Sequence, residues 1–256
     1  MKTILAYVLI LIVFISGPGC LNKRTPKAPD QEKIDTTSMA DTGYTGIKKF
    51  YSKSFLVKEV TYKNGIRNGL MKTYYQSGKL YQTFWYVNGV REDTARWYFE
   101  DGKVFRATPY KKDTIDGTQI QYYKSGKIRA KLSFVEGART PFLEEYLQDG
   151  KKVSGYPEMA INIKDEYNQN GTYKIYLELN KKDVKVSFYR GEYINGLFLP
   201  KKYTRLNTND YKGYLGLKKS GKTGSSYVGI IAEISTEFGN KYLTYKKIDL
   251  PYNDLN

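Results

Sequence analysis

The sequence predicts an all-β protein: an antiparallel meander of 24-residue, two-stranded repeats followed by a β-sandwich. Three observations carry this reading. Ser-Gly-Lys or Asp-Gly-Lys recurs every 24 residues, at 77–79, 101–103, 125–127 and 149–151. Aromatic residues keep the same step, with Tyr74, Tyr98, Tyr122 and Tyr146 in one column and Tyr75, Phe99 and Tyr123 in the next. The register then stops, and the last hundred or so residues break into short apolar runs separated by glycine turns.

The chain opens on Met1-Lys2-Thr3, and Ile4 to Ile15 is an unbroken apolar run of 12 residues. That is shorter than the roughly 20 residues a spanning helix needs. Ser16-Gly17-Pro18-Gly19 then lead into Cys20, the only cysteine, so residues 1–19 have the layout of a secretory signal peptide. The segment resembles a bacterial lipoprotein signal of the Bacteroidetes type. The resemblance implies that the Cys20 thiol takes diacylglycerol, becomes the mature N-terminus and anchors the protein to a membrane with palmitate-like chains. Each buried methylene then contributes about 0.8 kcal/mol. Gly17 stands where such signals usually carry an aliphatic residue; ordinary cleavage leaving a free thiol is the alternative. Residues 20–46 form a polar tether with too few large apolar side chains to build a core. In lipoproteins of that type an acidic cluster after the Cys resembles a surface-export signal; none follows Cys20, so the resemblance implies an outer-membrane anchor facing the periplasm.

Residues 47–155 hold the repeats. A Gly after Ser or Asp, flanked by aromatic and aliphatic residues, marks a hairpin, because Gly accepts the positive φ such turns need. The structural turns are expected at Gly78, Gly102, Gly126 and Gly150, and at Gly65, Gly89 and Gly137 on the return side. Taking Ser77-Gly78 as a two-residue loop sets Gln76 opposite Lys79, Tyr75 opposite Leu80 and Tyr74 opposite Tyr81. Alternation then gives a buried face with Met71, Tyr75, Leu80, Phe84 and Tyr86 and an opposite face with Lys72, Tyr74, Lys79, Tyr81 and Trp85. Asn88-Gly89 is expected to open a longer turn. The third unit departs from the pattern, since Lys112-Asp113 replaces Asn-Gly and Pro109 interrupts a strand.

Tyr-Tyr-x-Ser-Gly-Lys at 74–79 and 122–127, Tyr-Phe-x-Asp-Gly-Lys at 98–103 and Asn-Gly-x-Arg-x-Gly at 64–69 resemble the variant MORN-repeat family, including its YwqK-like, antitoxin-labelled members. The resemblance covers about 100 residues. It implies a β-repeat platform that binds other molecules, with neutralisation of a partner toxin as the alternative role.

Residues 156–256 stay β-rich, with strands expected at 159–164, 171–179, 184–190, 213–217, 228–235 and 242–250. Six short strands in about 100 residues suggest a sandwich of possible immunoglobulin-like form. A degenerate continuation of the repeat sheet is the alternative. Lys219-Ser220-Gly221-Lys222-Thr223-Gly224 echoes a phosphate loop without its spacing or a following helix, and reads as a hairpin loop.

Composition narrows the chemistry. The chain has no His and one Cys, so a His-containing catalytic triad, a Cys-His dyad and a His- or all-Cys zinc site are impossible within it. The carboxylate pairs Glu92-Asp93, Glu100-Asp101 and Glu144-Glu145 read as solvated turn charge rather than glycosidase machinery. The net charge of +16 is spread, with +4 over residues 1–55, +7 over 56–153 and +5 over 154–256. A nucleic-acid binder concentrates its charge, so no nucleic acid is expected. The expectation is a non-enzymatic envelope protein with no cofactor and no metal. Its partners are a membrane, through lipid, and a protein or polysaccharide. The candidate binding surface is Tyr74, Tyr98, Tyr122 and Tyr146 beside Lys79, Lys103, Lys127 and Lys151. A ribbon of rings next to ammonium groups can hold a glycan, a peptide or an anionic polymer. The same column also serves as a stacking ladder between repeats.

Overall fold

The computed structural model describes residues 43–256. Cys20, the signal segment and most of the tether lie outside the described residues.

The repeat region is one antiparallel sheet. Its strands are β1 (Gly46–Ser52), β2 (Phe55–Lys63), β3 (Ile66–Tyr74), β4 (Leu80–Val87), β5 (Val90–Tyr98), β6 (Val104–Lys111), β7 (Thr114–Ile115), β8 (Gly117–Tyr122), β9 (Ile128–Val135) and β10 (Ala138–Glu145). They pair in chain order, except that the short β7 pairs only with β6. The meander therefore begins at Gly46, one strand before the first repeat.

Two turn types alternate, and the structure reverses the expected assignment. Asn64-Gly65, Asn88-Gly89, Lys112-Asp113 and Glu136-Gly137 are the tight, two-residue turns. Both residues of each turn have positive φ, as a type I′ turn requires. The Ser-Gly and Asp-Gly turns are three-residue loops. The Tyr75 N–H donates to the Lys79 carbonyl at 2.8 Å, and Gly78 N–H donates back to the Tyr75 carbonyl at 2.9 Å. The same pair of bonds recurs at Phe99, Tyr123 and Leu147. The register is therefore shifted by one residue. Tyr74 faces Leu80, Thr73 faces Gln82, and Tyr81 is the extra residue of a bulge. A bulge swings its extra side chain to the other face. Tyr81 is accordingly buried at 4.9 Å from Tyr75, not on the opposite face as the two-residue loop would place it. Leu80 moves the other way, beside Tyr74.

The inner face carries Tyr75, Tyr81, Phe84, Tyr86, Trp97 and Phe105 as one aromatic cluster. Arginines stitch successive repeats across it. Arg67 lies over the Tyr86 ring at 4.7 Å, Arg91 over Tyr110 at 4.4 Å and Arg106 over Trp97 at 3.9 Å. Hydroxyls do the same near the turns: Tyr75 donates to the Tyr98 carbonyl and Tyr123 to the Tyr146 carbonyl, each at 2.6 Å. Burial pushes the Tyr75 phenol up to about 12. Asp113 completes the departing unit, because its carboxylate accepts the Arg91 backbone and Nε N–H groups. Pro109 supplies no N–H, and β6 and β8 pair only at Arg106–Gln121 and Ala107–Ile120.

Residues 156–256 form two four-stranded sheets. The strands are β11 (Met159–Glu166), β12 (Thr172–Leu179), β13 (Val186–Arg190), β14 (Thr204–Arg205), β15 (Asn207–Asn209), β16 (Lys212–Lys218), β17 (Tyr227–Ser235) and β18 (Lys241–Asp249). The order is β11-β12-β16-β15 in one sheet and β14-β13-β17-β18 in the other. That is the immunoglobulin arrangement, A-B-E-D against C-F-G, with β14 as an added C′ edge. Ile175, Leu177 and Leu217 of the first sheet pack on Phe188, Ile230 and Ile234 of the second. Gly213 is required at this contact, since a β-carbon there would meet the Phe188 ring at 2.6 Å. A continuation of the repeat sheet is thereby excluded. The segment at 219–224 is not a hairpin loop; it crosses from β16 to β17, between the sheets, and docks on the carbonyls of Asn253 and Asp254.

The sandwich covers the last edge of the repeat sheet, and it does so where the repeat columns change residue. Arg139 holds the position of Arg67 and Arg91 but has no further repeat to stack on. It donates to the Lys241 carbonyl and lies 3.8 Å from Glu233, while its own carbonyl accepts Phe198 N–H at 2.8 Å. Arg129 replaces the aromatic of the Tyr81–Phe105 column and donates to the Phe238 carbonyl. Gln121 and Glu145 replace the Trp97 column. Glu145 is 0% exposed and accepts from Thr236, Asn240 and Tyr156. Reading Glu144-Glu145 as solvated turn charge is therefore wrong for Glu145, which is the buried acceptor of the junction.

Candidate functional site

Antiparallel partners share a face, so the registers trace the outer face directly. One cross-strand row runs Lys49, Glu59, Lys72, Thr83, Arg96, Ala107, Ile120, Lys131 and Glu144, one residue per strand. Each of its two ends is an ion-pair cluster of two lysines about one carboxylate. Glu59 sits 3.6 Å from Lys49 and 3.9 Å from Lys72. Glu144 sits 3.5 Å from Lys131 and 2.7 Å from Lys152. The Lys152 ammonium and the Tyr146 hydroxyl hold the Glu144 carboxyl at about 2. Arg96, in the middle, is exposed and makes one hydrogen bond, 3.3 Å to the Thr94 carbonyl on its own strand. Among the described residues no carboxylate lies within ion-pair distance of it.

The tyrosine column lies beside this row. Tyr74, Tyr98, Tyr122 and Tyr146 are all half-buried, on the outer face. The end members are tied down: Tyr74 donates to Glu59 at 2.6 Å and Tyr146 to Glu144 at 2.7 Å. Burial, reinforced by that Glu59 contact, drives the Tyr74 phenol well above its ordinary value. The central hydroxyls of Tyr98 and Tyr122 have no protein partner among the described residues. Beside Tyr122, where β6 and β8 are thinly paired, an open concavity of about 570 Å³ is lined by Arg96, Lys103, Val104, Ala107, Ile120 and Tyr122.

The lysines divide differently from the sequence expectation. Lys79, Lys103, Lys127 and Lys151 are all exposed at the turn edge. Lys103 Nζ donates to the Lys124 carbonyl and Lys127 Nζ to the Gln148 carbonyl, each at 3.2 Å and each across to the following turn. Lys151 sits 3.6 Å from Asp149. Lys103 and Lys127 thus brace neighbouring turns. Of the four, Lys103 alone also lines the concavity. Arg96 was missed by reasoning from columns, because its counterparts Lys72 and Ile120 are of different types. Its signal was a cation with no acidic neighbour in the cross-strand register. Among the described residues no group of acidic, His or Cys side chains is placed to hold a metal.

Fold and face together define an all-β repeat protein that presents a single-layer sheet, closed at one edge by a sandwich. Residues 67–88, 94–112 and 115–136 match the family model described as MORN repeat variant. The matched stretches run from β3 to the turn after β9, so the similarity to MORN repeats lies within the array and does not extend into the sandwich. No curated protein matches the chain.

Proposed function

We propose that this is a non-enzymatic scaffold of the cell envelope, held to a membrane by lipid on Cys20, whose outer repeat face binds a protein or glycan. The observation that carries the reading is the contrast along that face. Both ends are tied into ion-pair clusters, whereas among the described residues the centre leaves Arg96 without a carboxylate partner and the Tyr98 and Tyr122 hydroxyls unbonded, near an open concavity. Polar groups left unpaired on a rigid surface are what a ligand can engage without first breaking internal bonds. The tether and the sandwich would set the distance of this face from the membrane.

Capture from a membrane extract on the immobilised protein tests the binding role. Loss of the captured species with Tyr98→Ala/Tyr122→Ala supports it; capture unaffected by those changes counts against it. A single toxin-like partner bound one-to-one would move the reading to neutralisation. Cys20→Ala is expected to shift the protein to the soluble fraction and to abolish palmitate labelling. Persistent labelling would remove the anchor.

A further inference from the structure

We infer that the centre of the outer face is a subsite for an acidic sugar, with the Arg96 guanidinium anchoring the sugar carboxylate; this rests on the binding-surface reading above. The charge row selects the anion. Lys49 and Lys72 share Glu59, and Lys131 and Lys152 share Glu144, whereas among the described residues Arg96 has only a carbonyl of its own strand. A guanidinium fork matches a planar carboxylate in two parallel hydrogen bonds, so a carboxylate complements an Arg that has no acidic partner. Lys103 adds a second positive charge at the rim.

The floor selects a sugar over a peptide. Val104, Ala107 and Ile120 form a small aliphatic bed that can take the C–H face of a pyranose. Tyr98 and Tyr122 stand two strands apart, on the order of 10 Å, with β6 between them. Tyr122 lines the concavity, and its hydroxyl, unbonded among the described residues, can serve a hydroxyl of the ring, while those pointing outward remain in water. An extended peptide on this face would find no such match. β5, β6, β8 and β9 all lie inside the sheet, so a peptide has no free edge here to join as an added strand.

The test titrates the full chain, in detergent, with a linear oligogalacturonate. The same oligosaccharide with its carboxyls reduced and a hexaglutamate peptide serve as comparisons. The inference expects uronate binding that weakens about tenfold or more on carboxyl reduction, and by a similar factor with Arg96→Gln. The Arg96→Gln melt should match that of the parent, since the side chain is exposed. Equal or tighter binding of hexaglutamate overturns the sugar assignment while leaving the face as a binding surface. Uronate binding unchanged in Arg96→Gln overturns the site. No uronate binding, with extract capture still lost in Tyr98→Ala/Tyr122→Ala, overturns the inference and spares the scaffold reading.

Discussion

Trp85→Ala and Trp97→Ala, at the only two tryptophans in the chain, separate the two faces of the sheet. They sit on neighbouring strands, but the register puts them on opposite sides. Trp97 is 7% exposed, with Phe84 edge-on at 5.4 Å and Arg106 over its ring at 3.9 Å. Trp85 is 46% exposed on the outer face. Truncating a buried Trp costs about 3–5 kcal/mol, and the stacked guanidinium loses a further contribution of about 1 kcal/mol. Truncating Trp85 should cost about 1 kcal/mol. A domain is stable by about 5–15 kcal/mol in total, so Trp97→Ala removes a large share and Trp85→Ala a small one. Far-UV circular dichroism through a urea titration reads both without relying on the deleted fluorophore. Equal midpoints, or a larger loss for Trp85→Ala, would refute the face assignment.

Three other outcomes follow from particular contacts. Glu145→Ala strands the donors of Thr236, Asn240 and Tyr156 at the junction and should cost about 3 kcal/mol, with faster hydrogen exchange at 236–240; unchanged exchange there would contradict the junction. Gly102→Val should destabilise by about 1–3 kcal/mol, against little change for Thr83→Val, because Gly102 has φ +86°. A β-carbon at Gly102 meets nothing within 4 Å, so any loss is conformational strain rather than a clash. The Glu144 carboxyl is held at about 2, below its unfolded value, so its share of stability is present above about pH 5 and is lost as pH falls toward 2. Glu144→Gln should flatten the acid limb of the stability curve, and an unaltered limb would contradict the cluster.

The 24-residue step, the glycine positions and the six main strands of the sandwich were readable because each is local. A periodic column needs only its own residues, and a glycine turn announces itself in two. The turn lengths were not readable in that way. Ser77-Gly78 suits either a two-residue loop or a three-residue loop with a bulge, and the choice depends on how Tyr75 and Tyr81 pack across the hairpin. That one-residue difference moved Tyr81 to the inner face and Leu80 to the outer. The junction left a trace that column reading passed over. Arg129, Gln121, Glu145 and Arg139 each break or outlast a column, and all four meet the sandwich. A departure from a repeat is a place where a repeat stops packing on its own kind. The short β14 and β15 have two and three residues, too few to carry a period.

The central claim is that the middle of the outer face is a binding surface rather than a stacking ladder. Tyr98→Ala/Tyr122→Ala tests it most directly when a urea melt and an extract capture are run on one preparation. Both rings are half-buried and neither hydroxyl is bonded among the described residues, so the account predicts a combined loss of about 1–3 kcal/mol, a folded sheet and no captured ligand. A loss of several kcal/mol more with unfolding of the sheet, or full capture by the folded variant, would contradict it.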